Sequence, residues 1–89
     1  MTKISKSKID NQFTNKTVLI TGGTGSLGQA LTNRLLKTKV KAIRILSRNE
    51  NKQVEMASSL NDDRLRFFIG DVRDLPRLYR AFEGVDIVF

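Results

Sequence analysis

The sequence contains no cysteine and no histidine among its 89 residues. Without cysteine it can form no disulfide, thiolate metal site or cysteine nucleophile, and without histidine this chain alone cannot form a Ser-His-Asp triad or a histidine-ligated metal site. No apolar run approaches the roughly 18 residues of a membrane span, and the polar start lacks the apolar core of a secretory signal. We therefore expect a cytoplasmic protein without membrane contact or a bound metal.

Basic residues outnumber acidic ones by 16 to nine, which gives a formal net charge of +7. Such an excess can indicate nucleic-acid binding. Here, however, many of the lysines lie within residues 1–16 or around the end of the first predicted helix, where cations complement the helix dipole. The arginines are scattered, with no stacking aromatics interleaved among them. We therefore expect no nucleic-acid partner.

The length suits one small domain. Residues 1–15, rich in Lys, Ser, Thr and Asn, are predicted to be a flexible basic arm. From residue 16 onwards, strand and helix patterns alternate as βαβαβαβ, which with right-handed crossovers predicts an α/β, Rossmann-type parallel sheet in the strand order 3-2-1-4. Residues 16–89 are therefore expected to be the N-terminal half of a doubly wound fold, an NAD(P)-binding half-domain truncated at its fourth strand, with an apolar edge left at that strand.

Helical spacing predicts the face that each helix buries against the sheet. Asp74 is expected to cap the third helix, with Pro76 in its first turn, and Gly84 to end it. The expected buried residues are Leu27, Ala30, Leu31 and Leu35 in the first helix, Val54, Ala57 and Leu60 in the second, and Leu75, Leu78, Tyr79 and Phe82 in the third.

A glycine-rich stretch separates the first strand from the first helix and carries a G-x-G-x-x-G pattern. It follows a strand, opens a helix and is followed by a second strand about 20 residues on, which is the setting of a dinucleotide-binding fingerprint. Glycines let a pyrophosphate approach the backbone amides, and the helix N-terminus attracts the anion. The alternative is a purely structural turn. The candidate residues are Thr21, Gly22, Gly23, Thr24, Gly25, Ser26, Leu27 and Gly28.

The second predicted strand ends in Ser47-Arg48. An acidic residue here would bind the ribose 2′-hydroxyl of NAD, whereas a hydroxyl and a guanidinium suit a phosphate monoester, so the pair favours NADP. The alternative is that Ser47 caps the next helix and Arg48 is merely solvated. Glu50, two residues further on, could instead reach a ribose hydroxyl.

Asp71 and Val72 follow the third predicted strand, at the sheet edge where ligands of open α/β folds bind. The Asp71 carboxylate could accept from the adenine amino group, and the Val72 backbone could contact the ring edge. The alternative is that Asp71 and Asp74 are simply turn and cap residues. They do not form a credible acid/base pair, because nothing nearby supplies a substrate pocket.

Four segments of the sequence carry a resemblance to a known family: residues 21–28, Ser47-Arg48 with Glu50, Lys52 and Gln53, residues 64–74 and residues 83–88. Together they resemble the extended short-chain dehydrogenase/reductases, and more narrowly the nucleotide-sugar 4,6-dehydratases of the UDP-N-acetylglucosamine type. The resemblance implies that Gly22, Gly25 and Gly28 face the pyrophosphate of NADP, that Ser47 and Arg48 hold its 2′-phosphate, and that Asp71 and Val72 bound its adenine. Two departures are that the family often has Asp where this chain has Asn49 and Phe where it has Leu27.

The resemblance also implies an activity in polysaccharide and glycan biosynthesis. In that family NADP takes a hydride from C4 of the sugar, water is lost across C5 and C6, and the hydride returns to C6, which makes the enzyme a lyase. The family's catalytic Tyr/Lys region and sugar-nucleotide subdomain would lie beyond Phe89. We therefore expect this chain to bind the dinucleotide and to lack catalytic residues. We expect a nucleotide-sugar substrate to bind only together with the missing C-terminal part. The protein could form a homo-oligomer.

The sequence is also compatible with two other functions. Because the nucleotide half is shared across the fold, a nucleotide-sugar epimerase or reductase is an alternative. A non-catalytic dinucleotide-binding module is another.

Overall fold

A computed structural model describes residues 11–89, so most of the arm expected over residues 1–15 lies outside the described part. Strands and helices alternate through residues 17–88. Among residues 11–89, every helix is too short or too polar to cross a lipid bilayer. The elements are β1 (Thr17–Thr21), α1 (Ser26–Leu36), β2 (Ala42–Ser47), α2 (Glu50–Leu60), β3 (Leu65–Ile69), α3 (Leu75–Phe82) and β4 (Ile87–Val88).

The four strands form one parallel sheet in the order β3-β2-β1-β4, which confirms the predicted Rossmann-type topology. β1 pairs along its whole length with β2, and β4 pairs with β1 over only two residues. At this side of the sheet Val88 and Phe89 are exposed, as expected for an apolar edge. Because all strands run the same way, their carboxyl ends meet along one edge of the sheet.

Strand β1 is buried on both faces of the sheet. Val18 and Ile20 belong to the apolar cluster that includes Leu35 of α1, whereas Leu19 belongs to a second cluster with Ala81 of α3. Helices therefore cover both faces of the strand, which explains why its sequence is a continuous apolar run instead of an alternating one.

The predicted buried face of α1 is wrong at its first turn. Leu27 is 83% exposed and Ala30 is exposed, whereas Gly28, Thr32 and Leu35 are buried. Over its first two turns the helix buries the small residues Gly28 and Thr32, whereas its buried leucine, Leu35, lies in the last turn. Thr32 can be buried because its hydroxyl donates to the Gly28 carbonyl at 2.8 Å.

The predicted face of α2 is wrong by one residue. Val54 and Ala57 are exposed, whereas Gln53 and Met56 are buried and Leu60 is half-buried. A polar side chain occupies the inner face because its amide finds partners at the ends of two strands.

The apolar stripe predicted to be buried in α3 is mostly exposed. Tyr79 is 70% exposed, so its expected role in the core is wrong, and Leu75 and Phe82 are exposed as well. Ala81 is the buried residue of this helix, and Leu78 is half-buried. Ala81 packs with Leu19 and Leu46 of the sheet, and Leu78 lies against this cluster, so only part of the stripe is covered among residues 11–89.

The predicted ends of α3 are confirmed. The Asp74 side chain accepts from the Arg77 amide at 3.4 Å, and Pro76 lies in the first turn. Gly84 follows the helix with a φ of +74°. The turn after α3 therefore uses a left-handed conformation that glycine adopts readily.

Arg64 joins the start of β3 to the end of α1. Its guanidinium donates to the Leu36 carbonyl at 2.7 Å and to the Thr38 carbonyl at 3.0 Å, and it pairs with Asp62 at 3.0 Å. The hydrogen bonds from Arg64 lower the pKa of the Asp62 carboxyl. Carbonyls that the helix end leaves without intrahelical partners are thus satisfied by a cation.

Candidate functional site

The loop between β1 and α1 is a tight turn of glycines. Gly22 has a φ of +64°, and its carbonyl accepts from the Gly25 amide at 3.2 Å. The Gly22 amide donates to the Leu46 carbonyl at 2.8 Å. This bond fastens the turn to β2, at the carboxyl edge of the sheet.

Two further glycines are required by packing within the protein. A Cβ atom on Gly23 would lie 2.6 Å from the Ile45 side chain, and one on Gly28 would lie 2.5 Å from the Gly23 Cα atom. Side chains do not approach each other or the backbone so closely. Both residues are buried, so the Gly28 position is filled by the turn itself, and helix α1 packs directly against that turn.

Gly25 has no such requirement from the described part of the chain. Its φ of −75° and ψ of 174° are open to any residue, and a Cβ atom would meet only the Gly22 carbonyl oxygen, at an ordinary 3.6 Å. The residue is exposed. The missing side chain therefore leaves open space in front of the loop without being needed to form it.

Helix α1 begins at this open space. Gly25 is its N-cap and supplies no capping side chain, and the first turn contains no acidic residue. Ser26 and Leu27 are exposed. The first amides of a helix have no intrahelical acceptor and lie at the positive end of its dipole, so this terminus suits an anion.

Ser47 ends β2 next to the glycine loop. Its hydroxyl oxygen accepts from the Asn49 amide at 3.3 Å and from the Gln53 side-chain amide at 3.1 Å. The N-cap of α2 is Asn49, whose side chain accepts from the Lys52 amide at 3.0 Å. The alternative in which Ser47 caps this helix is therefore wrong.

Asp71 lies between two arginines. Its carboxylate pairs with Arg73 at 2.9 Å and with Arg48 at 3.4 Å. Hydrogen bonds from Arg73, with a smaller contribution from the charge of Arg48, lower the pKa of Asp71 to about 2. The carboxylate is therefore ionised at neutral pH, and the exposed Arg48 guanidinium lies beside it at the carboxyl ends of β2 and β3.

These elements surround an open cleft of about 1020 Å³ at the carboxyl edge of the sheet. Of the residues predicted from the sequence, the cleft brings together Gly22, Thr24, Ser47, Arg48, Asp71 and Val72. Gly25, Ser26 and Leu27 lie exposed at the start of α1, whereas Gly23 and Gly28 are buried behind the turn. The hydroxyl of Thr21 donates to the Phe89 carbonyl at 3.1 Å, away from this lining.

The cleft also contains residues that were not predicted as site residues. Leu46 lies near the end of β2 and the others follow the carboxyl end of β2 or β3, which is the signal that could have identified them. Glu50, considered as an acceptor for a ribose hydroxyl, is among the lining residues. The additional members are Leu46, Asn49, Asn51, Gly70 and Arg73.

Comparison with known proteins identifies relatives of this chain. The model of a family described as polysaccharide biosynthesis protein matches residues 18–89. A Methanocaldococcus jannaschii protein named as an uncharacterized membrane protein is 51% identical over 81 residues, covering 91% of this chain. A UDP-glucose 4-epimerase of Rickettsia felis is 49% identical over 81 residues, covering 86% of this chain. The chain spans about a quarter of the length of these curated relatives, 24% in each case.

Solved structures share the fold. Pen from Bacillus thuringiensis is 39% identical with a TM-score of 0.82, over 86% of this chain and 24% of that protein. A short-chain dehydrogenase/reductase from Veillonella parvula, solved in complex with NADP, is 25% identical with a TM-score of 0.70, over 83% of this chain and 34% of that protein.

Proposed function

We propose, from the premise that the chain belongs to the polysaccharide biosynthesis protein family of extended short-chain dehydrogenase/reductases, that its cleft binds NADP. The observation that carries this proposal is Gly25, a glycine that nothing in residues 11–89 requires, at the exposed N-terminus of α1 and next in sequence to Thr24 of the cleft lining. A pyrophosphate could approach the α1 amides only where no side chain intervenes. Gly25 then serves the ligand, whereas Gly23 and Gly28 shape the turn that presents it.

The choice of NADP over NAD is supported by the end of β2. Ser47 and Arg48 both line the cleft and can donate to a 2′-phosphate. The Arg48 guanidinium lies 3.4 Å from the Asp71 carboxylate, and Asp71 and Val72 border the space proposed for the adenine. Glu50, which also lines the cleft, is the residue that would favour the free 2′-hydroxyl of NAD. The preference for NADP therefore depends on whether the ribose 2′ position lies against Ser47 and Arg48 or against Glu50.

The cofactor proposal is tested by titrating NADPH and NADH separately into the protein and into Arg48→Ala. Loss of one guanidinium–phosphate contact is expected to weaken NADPH binding by about tenfold or more and to leave NADH binding nearly unchanged. Arg66→Ala is the matched control, because Arg66 is exposed and lies outside the cleft lining. Equal binding of the two dinucleotides by the unaltered protein, or an unchanged preference in Arg48→Ala, would refute the assignment.

For the reaction, we propose a nucleotide-sugar 4,6-dehydratase of the UDP-N-acetylglucosamine type, with residues 16–89 as its cofactor-binding half and the catalytic residues outside this chain. The segments from Ser47 to Gln53 and from Arg64 to Asp74 support this choice. A second candidate is a nucleotide-sugar epimerase, favoured by the 49% identity to the Rickettsia felis UDP-glucose 4-epimerase. Incubating the whole gene product with UDP-N-acetylglucosamine separates the two, because a dehydratase product is lighter by one water and an epimerase product is an isomer.

A further inference from the structure

A buried glutamine lies behind the Ser47 hydroxyl. Gln53 is only 4% exposed, and its Nε2 atom is 2.9 Å from the Phe68 carbonyl oxygen and 3.1 Å from Ser47 Oγ. A carbonyl oxygen can only accept, so the nitrogen of the Gln53 amide must face Phe68 and the amide oxygen must point away. The backbone of β3 thereby decides the orientation of this side chain.

The same nitrogen donates its other hydrogen chiefly to Ser47 Oγ at 3.1 Å, with the Ser47 carbonyl oxygen a more distant acceptor at 3.4 Å. The Asn49 backbone amide, a donor that cannot accept, reaches Ser47 Oγ from 3.3 Å. A hydroxyl oxygen has two lone pairs and one hydrogen. With both lone pairs engaged by donors, the hydrogen of Ser47 is the one part of the hydroxyl left for a ligand, and Ser47 lines the cleft.

We propose that Gln53 is a positioning residue that makes Ser47 a donor-only group, and that the pair Ser47–Gln53 thereby selects a phosphate monoester over a free hydroxyl. This inference rests on the proposed cofactor function and deepens it. Arg48 beside Ser47 also only donates. A 2′-phosphate presents only acceptors to these two groups, whereas the 2′-hydroxyl of NAD presents a hydrogen that neither can accept.

The test measures the dissociation constants of NADPH and NADH by nicotinamide fluorescence in the full chain and in Gln53→Met. Methionine has a similar length and is apolar, so it fills the buried space without donating. The preference for NADPH over NADH is expected to fall by about tenfold, the effect of one hydrogen bond to a charged group. The ratio isolates the 2′-phosphate, because a variant that merely loosens the cleft weakens both ligands alike.

Two further variants distinguish positioning from general stabilisation. In a Ser47→Ala background, Gln53→Met is expected to reduce the preference no further, because Gln53 acts on the 2′-phosphate only through the Ser47 hydroxyl. Met56→Ala is the control: this residue is buried in the same helix but lies in the core cluster, so it should lower stability and leave the ratio unchanged.

The outcomes separate the inference from the function on which it rests. If Gln53→Met lowers stability but keeps the NADPH preference, or if its effect adds fully to that of Ser47→Ala, the positioning role is overturned while NADP binding stands. A shift of the ratio in Met56→Ala would also overturn it. If the unaltered protein shows no preference for NADPH, the proposed cofactor choice itself fails.

Discussion

A Gly25→Ala substitution is expected to leave the fold intact and to remove most of the dinucleotide affinity. The backbone of Gly25 lies in an extended conformation open to alanine, and the new methyl group would meet only the Gly22 carbonyl oxygen at 3.6 Å. In the proposed complex, however, this methyl group would stand between the first amides of α1 and the pyrophosphate. Stability and binding should therefore respond differently.

The expected change in stability is small because two terms oppose each other. Replacing glycine by alanine at a compatible backbone conformation stabilises by about 0.4–1 kcal/mol through the unfolded state. Alanine is a poorer N-cap than glycine, which costs on the order of 0.5–1 kcal/mol. The free energy of unfolding, measured by urea denaturation, should therefore stay within about 0.5 kcal/mol of that of the unaltered protein.

The expected change in binding is large. Two amide-to-phosphate hydrogen bonds are each worth roughly 1.5–3 kcal/mol, so their loss should weaken NADPH binding by about 100-fold or more. Gly28→Ala is the contrasting variant: its methyl group would overlap the Gly23 backbone, so it should lower stability by about 1–3 kcal/mol. A stable Gly25→Ala protein that binds NADPH normally would refute the placement of the pyrophosphate.

Three further predictions concern stability and ionisation. Arg64→Met should lower the free energy of unfolding by about 2 kcal/mol, because it removes two charge-assisted hydrogen bonds to carbonyls from a side chain that is 30% exposed. Urea denaturation measures this, with Arg66→Met as the control, and a loss under about 0.5 kcal/mol would contradict it. The pKa of Asp71, measured by carboxyl NMR, should be near 2 and should return toward 3.8 in Arg73→Ala. The contribution of this carboxylate to stability is therefore present above pH 3.8 and is lost as the pH falls through about 2. A titration midpoint near 3.8 in the unaltered protein would argue against the pairing of Asp71 with Arg73. Tyr79→Ser should change stability by no more than about 0.5 kcal/mol, because the ring is exposed, and a large loss would mean that the ring is packed after all.

Much of the fold could be predicted from local pattern. The strand order followed from the alternation of strands and helices together with right-handed crossovers. The strand runs, the helix cap at Asp74 and the turn of glycines followed from patterns among neighbouring residues. The faces of the helices were less predictable. In α2 the sequence indicated Val54, but Gln53 is buried, because the partners of its amide lie on strands that hydropathy does not reveal. In α3 the prediction that Tyr79 is buried was wrong. A helical stripe shows which residues could be buried, but it does not show how much of the helix the rest of the fold covers.

The candidate site likewise combines features that sequence can predict with features that only the tertiary structure decides. Its glycines, Ser47 and Arg48 could be recognised from sequence, because their spacing and their place after strands indicate the chemistry directly. Only the tertiary structure decided that Asp71 pairs with Arg48 and Arg73 and that Gln53 bonds to Ser47 and Phe68. It also decided that the position of Gly25 has no structural need for a glycine within residues 11–89. Those contacts join segments brought together by parallel strands, so their geometry depends on the register and packing of the whole sheet and cannot be obtained from any one stretch of chain.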